Sequence, residues 1–194
     1  MGGDSAMIWL DHFKLISKHK IYVYRNCKIA GITWRGIKHD LSKYSPTEFF
    51  ESVKYFTGNG SPIDKCKKEK GYSLAWLHHK GRNRHHWEYW VDGETPIKMP
   101  FEDACELICD YIGAGEAYMG KNFSFEAEYF WWQKKKESCK LMHPHTKQFV
   151  DDVLFQLTIV RNKYSILDKY SLKRLYNNVG RNVNCQTNYT MNNQ

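Results

Sequence analysis

The sequence predicts an all-α fold, and three observations carry that prediction. Apolar residues recur at helical spacing in long blocks, no segment keeps up strand alternation, and helix-start chemistry precedes several of the blocks. In the first block, residues 7–30, Ile8, Leu15, Tyr22 and Ile29 recur at seven-residue spacing, with Trp9, Ile16 and Val23 alongside. His19, Val23 and Asn26 share one face of that helix. Residues 1–6 read as a flexible start, and Gly31 breaks or kinks the helix. A second short helix over 32–42 carries His39 and Asp40. Ser45-Pro46-Thr47-Glu48 puts proline and an acid in a first turn and predicts a third helix to about residue 56.

The middle of the chain is less regular. Residues 57–62 are turn chemistry, and the lysine-rich run 63–71 reads as an exposed loop or frayed helix. Residues 72–90 hold four histidines, His78, His79, His85 and His86. One helix through the whole stretch would align His79, Asn83 and His86 on one face and His78, Arg82 and His85 on another. Gly81 costs a helix interior about 1 kcal/mol, so the first pair is equally placed to end a helix. Residues 92–96 form a turn. A helix over 101–119 then sets Asp103, Glu106 and Asp110 near one face, with Gly113 and Gly115 open to close packing. The aromatic block 123–137 reads as a helix covering the core in preference to a nucleic-acid stacking platform. His143-Pro144-His145-Thr146 starts a helix to about Tyr164, with Phe149, Val150, Val153, Leu154, Leu157 and Val160 on one stripe. The Asn-rich end predicts disorder. The expected organisation is one helical domain over 1–175 and a disordered tail over 176–194.

Composition narrows the function classes. The 194 residues are 42% hydrophobic and 15% aromatic, enough for a folded core, and the formal net charge of +8 favours anionic partners. Six cysteines without a CxxC read as free thiols in a reducing compartment. No apolar run reaches the roughly 18 residues of a membrane span, and no signal peptide is visible, so the expectation is a soluble, cytoplasmic protein without a membrane partner.

His39-Asp40 is the chemical focus. Imidazole and carboxylate together suit a divalent transition metal, and Lys43, one turn on, suits a phosphate as a point charge. Taken in order, His19, His39-Asp40, the histidine pairs of 78–86 and Asp110 form a run of His, His-Asp, His, His, Asp on a helical chain. That order resembles the HD superfamily of metal-dependent phosphohydrolases over roughly residues 15–115. The longer phrases His39-Asp-Leu-Ser-Lys-Tyr-Ser-Pro46, Ala75-Trp-Leu-His-His79, Asn83-Arg-His-His-Trp-Glu-Tyr-Trp90 and His143-Pro-His-Thr146 are similar to a smaller family of bacterial and phage proteins without an assigned activity.

The resemblance implies an HD-like helical bundle. It implies His19, His39, Asp40 and Asp110 as ligands of a first metal, with His12 as the alternative to His19, and His79 and His86 as ligands of a second where one is present. The choice within each doubled pair rests on helical phase. The implied cofactor is one or two divalent ions among Mn, Fe, Co, Ni, Zn and Mg. The implied activity is hydrolysis of a nucleotide or other small anionic phosphoester through a metal-activated water, with Asp40 and Lys43 catalytic. Lys43, Arg82 and Arg84 would meet substrate phosphate, and Asn83 and Glu88 would support the ligands. Two other readings stay open: a basic nucleic-acid-binding module, and an HD-like scaffold that binds metal or ligand without turnover.

Overall fold

The computed structural model describes residues 3–179. Ten α-helices occupy most of them: α1 (Gly3–Ile29), α2 (Thr33–Lys38), α3 (Pro46–Tyr55), α4 (Pro62–Lys70), α5 (Leu74–Arg82), α6 (Phe101–Met119), α7 (Phe125–Ser138), α8 (Pro144–Val160), α9 (Lys163–Ile166) and α10 (Lys169–Asn178). Strands β1 (Val91–Asp92) and β2 (Thr95–Pro96) close the 92–96 turn into a small antiparallel hairpin, with Val91 opposite Pro96. All-α is the class observed. None of the described helices is long and apolar enough to cross a membrane.

Helix α6 is the axis. Its Leu107, Ile108 and Ile112 are fully buried against Val23 and Cys27 of α1, Trp132 of α7, Phe149, Val153 and Leu157 of α8, and Leu172 of α10. Helices α1 and α6 pack along their lengths, and Gly113 sets how closely they pass. A Cβ at Gly113 would stand 2.6 Å from Val23 Cγ2 and 2.9 Å from the Val23 backbone nitrogen. Helices α4 and α5 each pack on α3 as a side lobe that meets α1 through α3. Serine caps begin three helices: the hydroxyls of Ser61, Ser73 and Ser124 accept from the backbone N–H groups of Asp64, Trp76 and Ala127.

Several expectations change. Helix α1 reaches back to Gly3, which shortens the expected flexible start; residues 1 and 2 lie outside the described residues. The second helix stops at Lys38 instead of running to 42, and a 3₁₀ turn follows at Leu41–Tyr44. The lysine-rich stretch is a helix, because Ser61-Pro62 starts it and left-handed Gly71 (φ 83°) ends it. Residues 72–90 do not form one helix: α5 ends at Arg82, and His85 and His86 follow on a turn that leads into a 3₁₀ segment at Trp87–Trp90. Val160 is exposed at 44% and leaves the buried stripe. Helix α10 continues past residue 175, because Tyr176 is buried and its hydroxyl donates to the Met99 carbonyl at 2.5 Å. The expectation of disorder over 180–194 lies outside the described residues.

Candidate metal centre

The site forms where the α3–α5 lobe meets the α1–α6 pair, and the local backbone explains how. At the end of α2 the chain enters the left-handed region at Asp40 (φ 54°, ψ 23°), a conformation that costs a residue with a Cβ and that Asp tolerates better than most. Lys20 of α1 donates to the carbonyls of Ile37 (2.5 Å) and His39 (2.7 Å), anchoring this helix end. The turn places both His39 and Asp40 inward, each nearly fully buried. Neighbours on a continuous helix would diverge by about 100°. Broken backbone, not helical phase, brings the pair together.

Asp40 is the centre. Its Oδ2 lies 3.4 Å from His19 Nε2 and 3.2 Å from His39 Nε2, and its Oδ1 lies 3.3 Å from His79 Nε2 and 3.4 Å from His85 Nε2. Asp110 Oδ1 completes the first group at 3.1 Å from His19 Nε2 and 3.3 Å from His39 Nε2. Two sets of ligand atoms therefore share Asp40: His19, His39, Asp40 and Asp110; and Asp40, His79, His85 and His86. Within each set the atoms lie within 4.8 Å of one another. Donors on one tetrahedral ion at about 2.0–2.2 Å stand about 3.3–3.6 Å apart, close to the separations seen here.

The hydrogen-bond accounting points the same way. The buried Nε2 atoms of His19, His39, His79, His85 and His86 and the Oδ1 of Asp40 have no hydrogen-bond partner, and Asp40 Oδ2 is met only by the Lys43 ammonium. Buried polar atoms are nearly always satisfied, so this many in one place calls for a further group. A divalent metal fits: imidazole nitrogens and carboxylates, all with lone pairs aimed inward, are its ligands. By contrast, the Nδ1 atoms on the outer side are held. His39 and His85 both direct Nδ1 to Glu106 Oε1, at 3.0 and 3.2 Å, and His79 directs Nδ1 to Glu48 Oε2 at 2.7 Å. Arg35 in turn donates to Glu106 Oε2 at 2.8 Å and pairs with Asp103. Fixing Nδ1 as donor leaves Nε2 as the free ligand atom.

Charge reinforces the arrangement. Burial alone would raise Asp40 and Asp110, yet His39 and Lys43 around Asp40, and His19 and His39 around Asp110, hold both carboxyls well below their ordinary range. Burial opposes the His39 cation, but Asp40, Asp110 and Glu106 raise it well above the usual value, and Asp40 and Glu48 raise His79. Glu106 is held at about 2 against its burial by His39 and His85. Burial, then the charge of neighbouring imidazoles, lowers both His85 and His86. The carboxylates draw positive charge into the pocket, and burial opposes it on His85 and His86.

The expected residues fall into three groups. His19, His39, Asp40, His79, His86 and Asp110 come together. Lys43 joins them: its Nζ is 2.6 Å from Asp40 Oδ2. Asn83 caps α5 and donates to Ser42 Oγ (2.9 Å) and the His79 carbonyl (2.8 Å), so it braces the His79 turn. Arg82 and Arg84, with Arg35, Lys38 and Trp34, line a cleft of about 710 Å³ that also reaches His39, His85 and Glu106. Arg84 also leans on Asp103 (3.4 Å) and on the Trp90 ring (4.7 Å). Glu88 hydrogen-bonds none of the histidines; Glu48 and Glu106 take the role expected of it.

His85, Glu48 and Glu106 are the additions. Helical phase selected His86 over His85, but α5 ends before either, so phase carries no information there. The spacing of Glu106 and Asp110 by four residues was the available signal for Glu106. Glu48 had none beyond its place in a first turn. His12 is not a ligand: it is buried between Phe49 and Phe56, and burial and Lys43 lower it to about 4. In the aromatic block Trp132 is fully buried with its N–H on Asp151 (3.0 Å), while Phe130 and Trp131 remain exposed.

Comparison with protein families matches residues 8–156 to DUF5662, described as a family of unknown function. The chain belongs to DUF5662. The matched span contains every ligand atom of both groups and the two glutamates behind them, so the residues that could hold a metal lie within the part of this DUF5662 chain that defines the family. No curated protein and no solved structure matches this DUF5662 chain.

Proposed function

We propose that this protein is a divalent-metal phosphohydrolase of the HD type, acting on a nucleotide or another small phosphoester. The observation that carries the reading is Asp40 shared by two groups of buried ligand atoms, His19, His39 and Asp110 on one side and His79, His85 and His86 on the other, either of which would hold a divalent ion. The ligand set is rich in imidazole, which favours Mn, Fe, Co, Ni or Zn over Mg. When bound, such ions lower the pKa of a coordinated water and neutralise phosphoryl oxygens. The chain's own residues supply the rest. Asp40 and Asp110 concentrate negative charge in a buried pocket that only cations can neutralise. Glu106 and Glu48 fix the imidazole tautomers. Lys43, partly exposed beside Asp40, offers an ammonium to a phosphoryl oxygen. The HD assignment rests on the order of His19, His39-Asp40, the later histidines and Asp110 together with the all-α fold.

The test is elemental analysis of the purified protein, followed by a phosphoester panel with added metals. Expected is one to two equivalents of a transition metal and phosphate release that His39→Ala and Asp40→Ala abolish. A chain that binds no metal under any condition overturns the reading. Metal binding without turnover across the panel selects the silent scaffold, and nucleic-acid affinity that survives loss of His39 and Asp40 selects the basic binding module.

A further inference from the structure

The cleft of about 710 Å³ lies between α2, the end of α5 and the start of α6, and most of its wall has no part in the metal chemistry. Its volume falls within the roughly 300–1,000 Å³ of small-molecule sites. Two of its basic side chains are built into the fold. Arg35 closes on Glu106 Oε2 (2.8 Å) and on Asp103, both buried acids. Arg84 reaches the other Asp103 oxygen at 3.4 Å and lies 4.7 Å from the centre of the Trp90 ring, whose N–H donates to the Arg84 carbonyl at 2.7 Å. A guanidinium has more N–H donors than these contacts use, so both arginines keep donors to offer.

Lys38 and Arg82 differ from them. Neither makes an ion pair or a side-chain hydrogen bond to any described residue. Arg35, Lys38, Arg82 and Arg84 line the cleft against two carboxylates, Glu102 and Glu106, and Glu106 is already engaged by Arg35, His39 and His85. The cleft therefore carries an excess of positive charge. Trp34, on the same helix as Lys38, is 65% exposed, and the Lys38 ammonium stands 5.2 Å from its ring centroid. An exposed indole in a cleft rich in cations suits a molecule that joins a flat ring to a phosphate. The indole stacks on the ring, and the cations give the phosphate charge-assisted hydrogen bonds. His39 and His85 also line the cleft, yet their Nε2 atoms are buried. The cleft thus does not open onto the ligand atoms and is separate from the place where a metal would sit.

We propose that this cleft is a second binding site for a nucleotide-sized organic phosphate, with the phosphate on Lys38 and Arg82, Arg35 and Arg84 flanking it, and the ring on Trp34. The inference goes beyond the phosphohydrolase reading and does not depend on it, because the site is complete without an ion.

Calorimetric titration of the full chain with AMP and with ribose 5-phosphate tests this. It is run after chelator treatment, with circular dichroism confirming the fold, and again on the chain as purified, with phosphate release followed. AMP is expected to bind the chelator-treated chain about tenfold tighter than ribose 5-phosphate, the difference being the stacked ring. Trp34→Ala is expected to remove that margin and leave ribose 5-phosphate binding as it is. K38Q/R82Q is expected to weaken both ligands by about tenfold or more, and K38R, which keeps the charge, to bind both as the parent does. AMP affinity that K38Q/R82Q leaves unchanged overturns the proposal. So does AMP binding confined to the metal-loaded chain, which places the nucleotide at Asp40. Affinity for single-stranded oligonucleotides that rises with their length also overturns it, in favour of a strand-binding groove. A chain that holds no metal and releases no phosphate, yet binds AMP through Lys38 and Arg82, removes the phosphohydrolase reading and leaves this site standing.

Discussion

At the scale of single residues, the two glutamates behind the histidines have the clearest consequence. Glu106 Oε1 meets the Nδ1 atoms of both His39 and His85, so one carboxylate orients a ligand in each metal group. Glu106→Gln replaces an acceptor with an amide that also donates, and removes the charge that favours the imidazoles as donors. Supporting groups of this kind commonly account for about 10- to 100-fold in metal affinity. We expect a loss in that range for Glu106→Gln, measured by competition with a chromophoric chelator, with the helical circular dichroism retained. Glu88→Gln is the matched control, and its affinity should equal that of the parent. Equal affinities for all three chains would remove Glu106 from the site. His19, by contrast, is held by no outer carboxylate in the structure, so its replacement should act through ligand loss alone.

At the scale of elements, α1 and α6 present the ligands only because they pass closely. Gly113 is where they touch, and any Cβ there meets the α1 backbone as well as Val23. Overpacking of this kind typically costs 1–3 kcal/mol. Gly113→Ala should lower the melting temperature and weaken metal binding together, since His19 and Asp110 ride on the displaced helices. A variant that melts as the parent does would show that the helices relax freely.

The α6–α7 contact has a titrating component as well. Glu128 is buried beside Gly115, and burial, with Asp110 and Glu116 nearby, pushes its carboxyl to about 8. The folded chain keeps a proton that the unfolded chain loses near 4.5. Its contribution to stability is therefore complete below about 4.5 and is lost as pH rises toward 8. Glu128→Gln should raise the melting temperature relative to the parent more at about pH 8 than at about pH 5. Thermal melts at the two pH values decide it; a difference that is flat or of opposite sign places the Glu128 proton elsewhere.

At the scale of the whole molecule, a metal held at this site would link its binding to folding. The two ligand groups draw on α1, the turn after α2, α5, the turn after α5, and α6, so an ion bound there would tie the α3–α5 lobe to the α1–α6 pair. A ligand that binds only the folded chain stabilises it by about 2.7 kcal/mol at a hundredfold excess over Kd. Chelator-treated protein should melt several degrees lower than metal-loaded protein, and re-addition of the metal should restore the melt. Because the histidines must shed protons to bind, the difference should shrink as pH falls below the imidazole range. Coincident melting curves with and without metal would show that the ions do not hold the lobe.

The sequence by itself determined the class and the supply of ligands. Seven-residue recurrence in α1, the proline starts of α3 and α8, and the apolar stripe of α8 depend on local periodicity, which the chain carries in one dimension. The same holds for Asp110 on the face of α6 and for His19 on the face of α1. What only the tertiary structure decided is how the ligands are divided. His39-Asp40 reads as part of a helix, yet it works because the helix stops and Asp40 turns left-handed. His85 joins the site because α5 ends at Arg82, and Glu48 and Glu106 join it because separate helices bring them to the backs of three imidazoles. Arg82 and Arg84 lie close to these ligands in sequence, and the fold sets them in the cleft that reaches His39 and His85. Periodicity reports which face a residue takes within one element; where the elements end and how they meet is set by packing and by the charge buried between them.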